Sequence, residues 1–223
     1  MIMIKKLPYF FFIVGFLLIL FPIAREYYYD WQENQLLSQF EQSAPQANTK
    51  DSSDTLVKAE YEKLSGLLTK AATSQEPLPI PTAESKPMQG LDDQALGIIA
   101  IDKIDLKLPI LEGATKANMR YAATHLTGTN SLGKIGNAAI AAHRARTKGR
   151  LFNRLNELEL GDKITIIMKD KRLIYTVSKI SVVEPTDLSV LSSNDKASIL
   201  TLITCDPLVN PTHRLIVQAK LET

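Results

Sequence analysis

The chain has 223 residues, room for one domain with appendages but not for a pair of catalytic domains. Its 26 Lys and Arg against 24 Asp and Glu leave a formal charge of +2, which points to no nucleic-acid partner and leaves no acidic solvating tail. A single cysteine excludes an intramolecular disulfide and any zinc site built on two or four cysteines, and His125, His143 and His213 are the only other soft ligands.

Residues 1–6 carry Lys5 and Lys6, and Leu7 to Ala24 then runs for 18 residues without a charge. That length is close to the lower limit for crossing a hydrocarbon core of about 30 Å as a helix. Arg25 follows together with Glu26, Asp30 and Glu33, so the Lys/Arg bias holds the N-terminus in the cytoplasm and sends the rest across. Tyr27, Tyr28, Tyr29 and Trp31 cluster just beyond, where amphipathic rings favour an interface. We read 7–24 as an uncleaved signal anchor. The alternative is a cleaved signal peptide ending at Ala24, which would present Pro22 where a small residue is wanted.

Residues 25–95 read as an extracytoplasmic stalk and linker, partly helical. Ser43–Asp54 is polar. Between Thr55 and Ala72, Val57, Tyr61, Leu64, Leu68 and Ala71 recur on one helical face, a stripe too short for a coiled coil and suited to packing on a globular domain. Pro77, Pro79, Pro81 and Pro87 then stiffen an extended connection.

Residues 96–223 are the globular domain, and its pattern is mostly β. Short apolar runs occur at Gly97–Asp102, Lys107–Leu111, Asn137–Ala142, Lys163–Met168, Leu173–Glu184, Ile199–Thr204 and Arg214–Leu221. One helix is expected where Leu151, Leu155 and Leu158 recur ahead of Gly161. Such a series predicts a β-barrel or a sandwich. Alternation in the last strand puts Leu215, Val217, Ala219 and Leu221 on one face and Arg214, Ile216, Gln218 and Lys220 on the other.

An unpaired cysteine in an extracytoplasmic domain is either a small buried hydrophobe or a working thiol. Cys205 closes an apolar strand, on the face of Thr201 and Ile203, with Asp206 and Pro207 directly after it. His143 closes the small-residue run NAAIAA, and Arg214 opens the last strand nine positions after Cys205. A thiol, an imidazole and a guanidinium at strand ends are a set suited to acyl transfer: nucleophile, proton carrier and oxyanion support. Spacing alone does not bring them together.

TLITC (Thr201–Cys205), closely followed by HRLIV (His213–Val217), resembles the signature of sortases. GNAAIAAHR (Gly136–Arg144) resembles the segment carrying the sortase histidine, and LFNRLNELELGD (Leu151–Asp162) the helix and turn after it. IIAIDKIDLKLPILEG (Ile98–Gly113) and HLTGT (His125–Thr129) resemble the first strands and the loop ahead of the histidine strand. The resemblance implies an eight-stranded β-barrel with short helices, tethered outside a Gram-positive cell. It implies a cysteine transpeptidase that cleaves an LPxTG-type sorting signal between Thr and Gly. Cys205 would form the thioacyl enzyme, His143 act as general acid/base, and Arg214 stabilise the oxyanion or hold the substrate. Thr204 matches the family threonine that supports the oxyanion. The acyl group would pass to an amine of a peptidoglycan precursor, or to a pilin lysine in the pilus-building class C. No cofactor is required, and no acidic cluster maps onto the calcium loop of some members.

DPLVNPTHRLIV (Asp206–Val217) looks like class C, but the only Asp-Pro is Asp206–Pro207, and no Asp-Pro-aromatic lid motif precedes the domain. General surface-protein anchoring is therefore the leading expectation and pilus polymerisation the second. A non-catalytic membrane-tethered binding module remains a third, and redox and hydrolytic roles for the thiol stay open. His213, next to Arg214, falls on the opposite face from it, and His125 lies in a loop-like stretch suited to local hydrogen bonding. Arg144, Arg146, Lys148, Arg150 and Arg154 read as a solvated loop and helix face, with contact to anionic wall polymer or lipid as the functional alternative.

Overall fold

The computed structural model describes residues 7–42, 54–73, 95–193 and 196–222. The proline-rich connection at Pro77–Pro87 and most of the polar Ser43–Asp54 stretch lie outside them. Two helices precede the strands: α1 (Leu7–Gln42) and α2 (Asp54–Thr73). Eight strands follow: β1 (Ala95–Ile101), β2 (Leu106–Glu112), β3 (Ala123–His125), β4 (Gly136–Ala141), β5 (Lys163–Ile167), β6 (Arg172–Val183), β7 (Ser198–Asp206) and β8 (His213–Leu221). They close into a barrel in the order β1-β2-β3-β4-β7-β8-β6-β5, with β5 returning to β1. The β2/β3 and β4/β7 pairs are parallel and the others antiparallel. The expected eight-stranded barrel is thus the fold observed.

Period-two alternation sorts the side chains. Ala138 and Ile140 of β4, Leu200 and Leu202 of β7, and Leu215, Val217 and Ala219 of β8 point into the barrel. Ala139, Ala141, Ile203, Cys205 and Ile216 take the outer face and join a second apolar cluster. β7 is buried on both faces, which is why it reads as a nearly unbroken apolar run. Closure needs tight backbone at one place: a Cβ on Gly97 would sit 2.7 Å from the carbonyl oxygen of Ile167, across the β1/β5 seam.

The structure departs from the sequence reading at two places. The helix expected over the Leu151–Leu158 repeat is only a 3-10 turn at Leu155–Glu157. Leu151 adopts a left-handed φ of 47° and bridges to Arg144, and Leu158 is already extended, so no α-helical run can form. The three leucines are nevertheless all buried in the barrel cluster, because successive turns can aim side chains inward at helix-like spacing. Conversely β3 lies where a loop was expected, since three residues can bridge β2 and β4 without leaving a readable apolar pattern.

The C-terminal part of α1 rests on the barrel through Leu36, which packs with Leu111, Tyr121 and Ala122, and through the buried Phe40. Arg150 approaches Asp30 at 3.7 Å, and burial raises the Glu33 carboxyl to about 7, against the pull of Arg150 and with the help of Asp30. Among the described residues no helix is long and apolar enough to cross a membrane; most side chains of Leu7–Ala24 are not among them.

Candidate active site

The end of β7 supplies the central position. Cys205 pairs directly with Arg214 across the β7/β8 ladder. On its other side the parallel β4/β7 ladder ends with Ala141 opposite Ile203. Two further bonds continue that register: Ala142 N donates to Ile203 O at 3.2 Å, and Thr204 Oγ1 donates to Ala142 O at 2.8 Å. His143 is the next residue, one step beyond Ala142, as Cys205 is one step beyond Thr204. Continuing that register puts His143, two residues past the end of β4, on the flank of Cys205 opposite Arg214.

In this row Cys205 and Arg214 are withdrawn from water, and His143 is half-buried. Cys205 is 3% and Arg214 1% exposed. Burial pushes the Cys205 thiol up; the Arg214 and Arg144 guanidinium groups draw it down, and Asp206 pushes it up again. Burial alone brings the His143 imidazole down to about 4. At neutral pH the row therefore holds a thiol and a neutral imidazole rather than a thiolate and imidazolium. The thiol itself is engaged by the cover: Sγ donates to the carbonyl oxygen of Leu68 at 3.6 Å.

Leu68 belongs to α2, which lies over the row. Tyr61, Leu64 and Leu68, three members of the predicted stripe, are buried against Ala139, Ala141, Ile203 and Ile216. Small side chains on β4 leave the room that the two leucines fill. Arg214 Nη2 donates to Ser65 O at 3.0 Å, Ser65 Oγ at 3.1 Å and Thr69 Oγ1 at 2.7 Å, and Nη1 to His213 O at 3.0 Å, while Nε has no partner. At the N-terminal end of α2, Gly128 (φ +92°) admits Val57: a Cβ there would meet its backbone nitrogen at 3.2 Å. A groove of about 790 Å³ follows the flank of α2 facing Pro185–Leu188, and Cys205 does not line it. A helical stripe of this kind could be expected to pack on the domain; that it packs on the cysteine was not readable.

The sortase-domain family profile matches residues 99–222, more than half of the chain. The chain belongs to the sortase family. Sortases are cysteine transpeptidases, and this one is similar to sortase A of Listeria monocytogenes, 32% identical over 58% of this chain and 58% of the relative. It is also similar to sortase D of Bacillus subtilis, 29% identical over 63% of this chain and 69% of the relative. The chain spans a little under 60% of the length of the first of these. Among solved structures, Listeria monocytogenes sortase A superposes with a TM-score of 0.54 at 31% identity, covering 59% of this chain and 89% of the other. Sortase C of Streptococcus pneumoniae does so with 0.56 at 26% identity, covering 76% and 94%.

The remaining candidates in this sortase are bonded to groups other than the thiol. Thr204 is fully buried, and its hydroxyl is committed to Ala142 O. His125 is held by Glu112 at 2.8 Å and by Asn130 O at 3.0 Å. His213 turns to Thr212 and to Glu184 at 3.2 Å. Among the described residues no group of three His, Cys, Asp or Glu side chains is placed to hold a metal ion.

The basic run is only in part the solvated face expected of it: Arg146 and Lys148 are exposed, and the other three are engaged. Arg144 is bonded to Asp206, Arg150 to Arg120 O and Arg154 to Ile104 O and Glu157. Sequence reasoning missed Arg144 and Asp206. Their positions directly after His143 and Cys205 were the available signal.

Proposed function

We propose that this sortase domain is a membrane-tethered transpeptidase acting on an LPxTG-type sorting signal, with Cys205 as nucleophile. The observation that supports the reading is the pairing of Cys205 with Arg214 across β7/β8, with His143 two residues past the end of the adjoining β4. Cys205 Sγ attacks the Thr carbonyl as its proton passes to His143. The developing oxyanion takes hydrogen bonds from Arg214, which pairs with Cys205 across the β7/β8 ladder. Collapse breaks the Thr–Gly bond, and His143 returns the proton to the leaving glycine amine. The thioacyl enzyme is resolved by a second amine, which loses a proton through His143 and restores the thiol. The Thr204 hydroxyl holds the register by donating to Ala142 O, so it contributes to the oxyanion site by position and not as a donor. None of these steps calls on a cofactor.

The reading requires α2 to withdraw, because Leu64 and Leu68 occupy the space beside the thiol. With the carbonyl of Leu68 gone, the thiol is free to bond to His143, and a thiolate–imidazolium pair becomes accessible. The anchor reading of Leu7–Ala24 places the N-terminus in the cytoplasm and the barrel outside, where secreted proteins with a sorting signal and cell-wall precursor amines are found.

A pilin lysine is the second acceptor considered. The Streptococcus pneumoniae sortase C, described for its pilin substrate specificity, covers 76% of this chain. The test is to incubate the full chain, beside Cys205→Ala, with LPxTG-type peptides and either a small amine, a peptidoglycan-stem amine or a pilin-like lysine peptide. The expected result is a Cys205-dependent Thr–amide product, with a Cys205 acyl adduct when amine is withheld. Unchanged peptide in every arm sinks the transpeptidase reading, and equal function of Cys205→Ala in tethered cells would favour the binding module.

A further inference from the structure

The row is held together at one point by groups that take no part in the acyl-transfer chemistry. The β4/β7 ladder ends at Ala141 and Ile203, and the backbone bonds beyond it, Ala142 N to Ile203 O and Phe152 N to His143 O, do not tie His143 to Cys205. Side chains on either side of the pair close that gap. Before it, Thr204 bonds Ala142 O. After it, Arg144 Nη1 bonds Asp206 Oδ1 at 2.6 Å and reaches Cys205 O at 3.4 Å, while its Nε reaches Asn153 O at 3.4 Å. The Arg144 side chain is only 9% exposed and that of Asp206 30%, so the ion pair is better shielded than a surface one.

We propose that Arg144 and Asp206 are a positioning pair, which clamps the residue after His143 to the residue after Cys205 and so sets imidazole against thiol. The pair touches neither substrate nor the transferred proton. It holds two strand ends to the tolerance that proton transfer needs, where a misplacement of about 1 Å costs roughly a hundredfold in rate. The inference rests on the reading of Cys205 and His143 as nucleophile and acid/base.

Charge and position make opposite demands on Asp206, and that opposition supplies the test. The charged groups acting on the thiol are Arg214, Arg144 and Asp206, and Asp206 alone among them disfavours the thiolate. By charge alone, Asp206→Ala makes Cys205 more reactive. By position, it makes it less so.

The experiment measures carbamidomethylation of Cys205 by iodoacetamide at neutral pH, followed by mass spectrometry on the full chain. Cys205 is the only cysteine, so the signal is unambiguous. Asp206→Ala and Arg144→Gln are each expected to slow alkylation by roughly ten- to a hundredfold. Asp206→Asn, which keeps an acceptor oxygen for Arg144 without the charge, is expected to recover most of the rate. In a His143→Ala background Asp206→Ala is expected to slow alkylation no further, since only its charge effect remains. The same variants in the peptide assay should lose kcat with KM unchanged.

Faster or unchanged alkylation in Asp206→Ala overturns the proposal. So does a slowing by Asp206→Ala that persists without His143, or one that tracks a fall in melting temperature. Wild-type protein that shows His143-dependent alkylation but turns over no peptide would refute the proposed substrate class and leave the clamp standing.

Discussion

The barrel interior and the face beneath α2 are both apolar and both closed to water, yet they are filled in different ways. Inside, Ile, Leu and Val from facing strands interdigitate, and the one large polar group, Tyr175, accepts a hydrogen bond from Gly133 N at 2.8 Å. Beneath α2 the barrel offers Ala139, Ala141 and Cys205, and the missing volume comes from a segment outside the barrel. There the Tyr61 hydroxyl and Arg214 Nε are buried without partners. An unsatisfied buried polar atom costs about 1–3 kcal/mol, so the cover is less stable than its apolar content alone would make it. The interior is packed by the barrel's own strands, whereas the volume beneath α2 is filled from outside them.

Four experiments probe that contrast. The largest effects belong to the row itself. Cys205→Ala should abolish transpeptidation, and Arg214→Ala should lower kcat by roughly a hundred- to a thousandfold, as losing an oxyanion donor does. Arg214→Ala should also loosen α2, because Ser65 and Thr69 lose their donor. Protease sensitivity of α2 in the variant would register this, and unchanged sensitivity would break the link between catalytic cation and cover.

Next come matched deletions in the two regions. Leu202→Ala inside the barrel should cost about 2–5 kcal/mol of global stability by denaturant titration. Leu68→Asp beneath α2 should leave the barrel transition within about 1 kcal/mol of wild type, since a buried charge is avoided by undocking the helix. Iodoacetamide should then reach Cys205 at least tenfold faster. Equal loss of global stability in both variants would show α2 to be core rather than cover.

The pH response is smaller. His143 titrates near 4 in the covered state against 6.5 when unfolded, so the unfolded chain binds more protons between those values. Stability should be full above pH 6.5 and fall toward pH 4, on the order of 3 kcal/mol at the lower limit. His143→Gln should remove that dependence.

Smallest is the contact of α1 with the barrel. Glu33 is raised to about 7 when docked, so its contribution is full below pH 4.5 and declines as pH rises through 7. After solvent screening this amounts to about 1 kcal/mol, and Glu33→Gln should flatten it. Amide exchange in Gln32–Phe40 across that range would show the change, opposite in sign to that of His143.

How much of this was legible in sequence depended on whether a feature is local. β7 could be read because burial on both faces leaves a continuous apolar string, and alternation along β8 separated Leu215 from Arg214. β3 could not be read, because three residues contribute hydrogen bonds without a pattern. The Leu151–Leu158 spacing suggested a helix, since periodicity reports which side chains turn inward and is blind to a left-handed residue at Leu151. Arg144 was assigned to solvent with its basic neighbours, because its partner Asp206 lies far along the chain and only the parallel β4/β7 pairing brings them together.

By itself the sequence determined the barrel class, the apolar faces of the strands and the choice of Cys205, His143 and Arg214, since each rests on residue type, local period or motif. The tertiary structure alone decided that these residues share one row, that α2 closes over them, and that Arg144 reaches Asp206. Those outcomes depend on strand order and on the docking of distant segments. They are settled by which surfaces remain to be buried once the barrel has closed, and no local pattern encodes them.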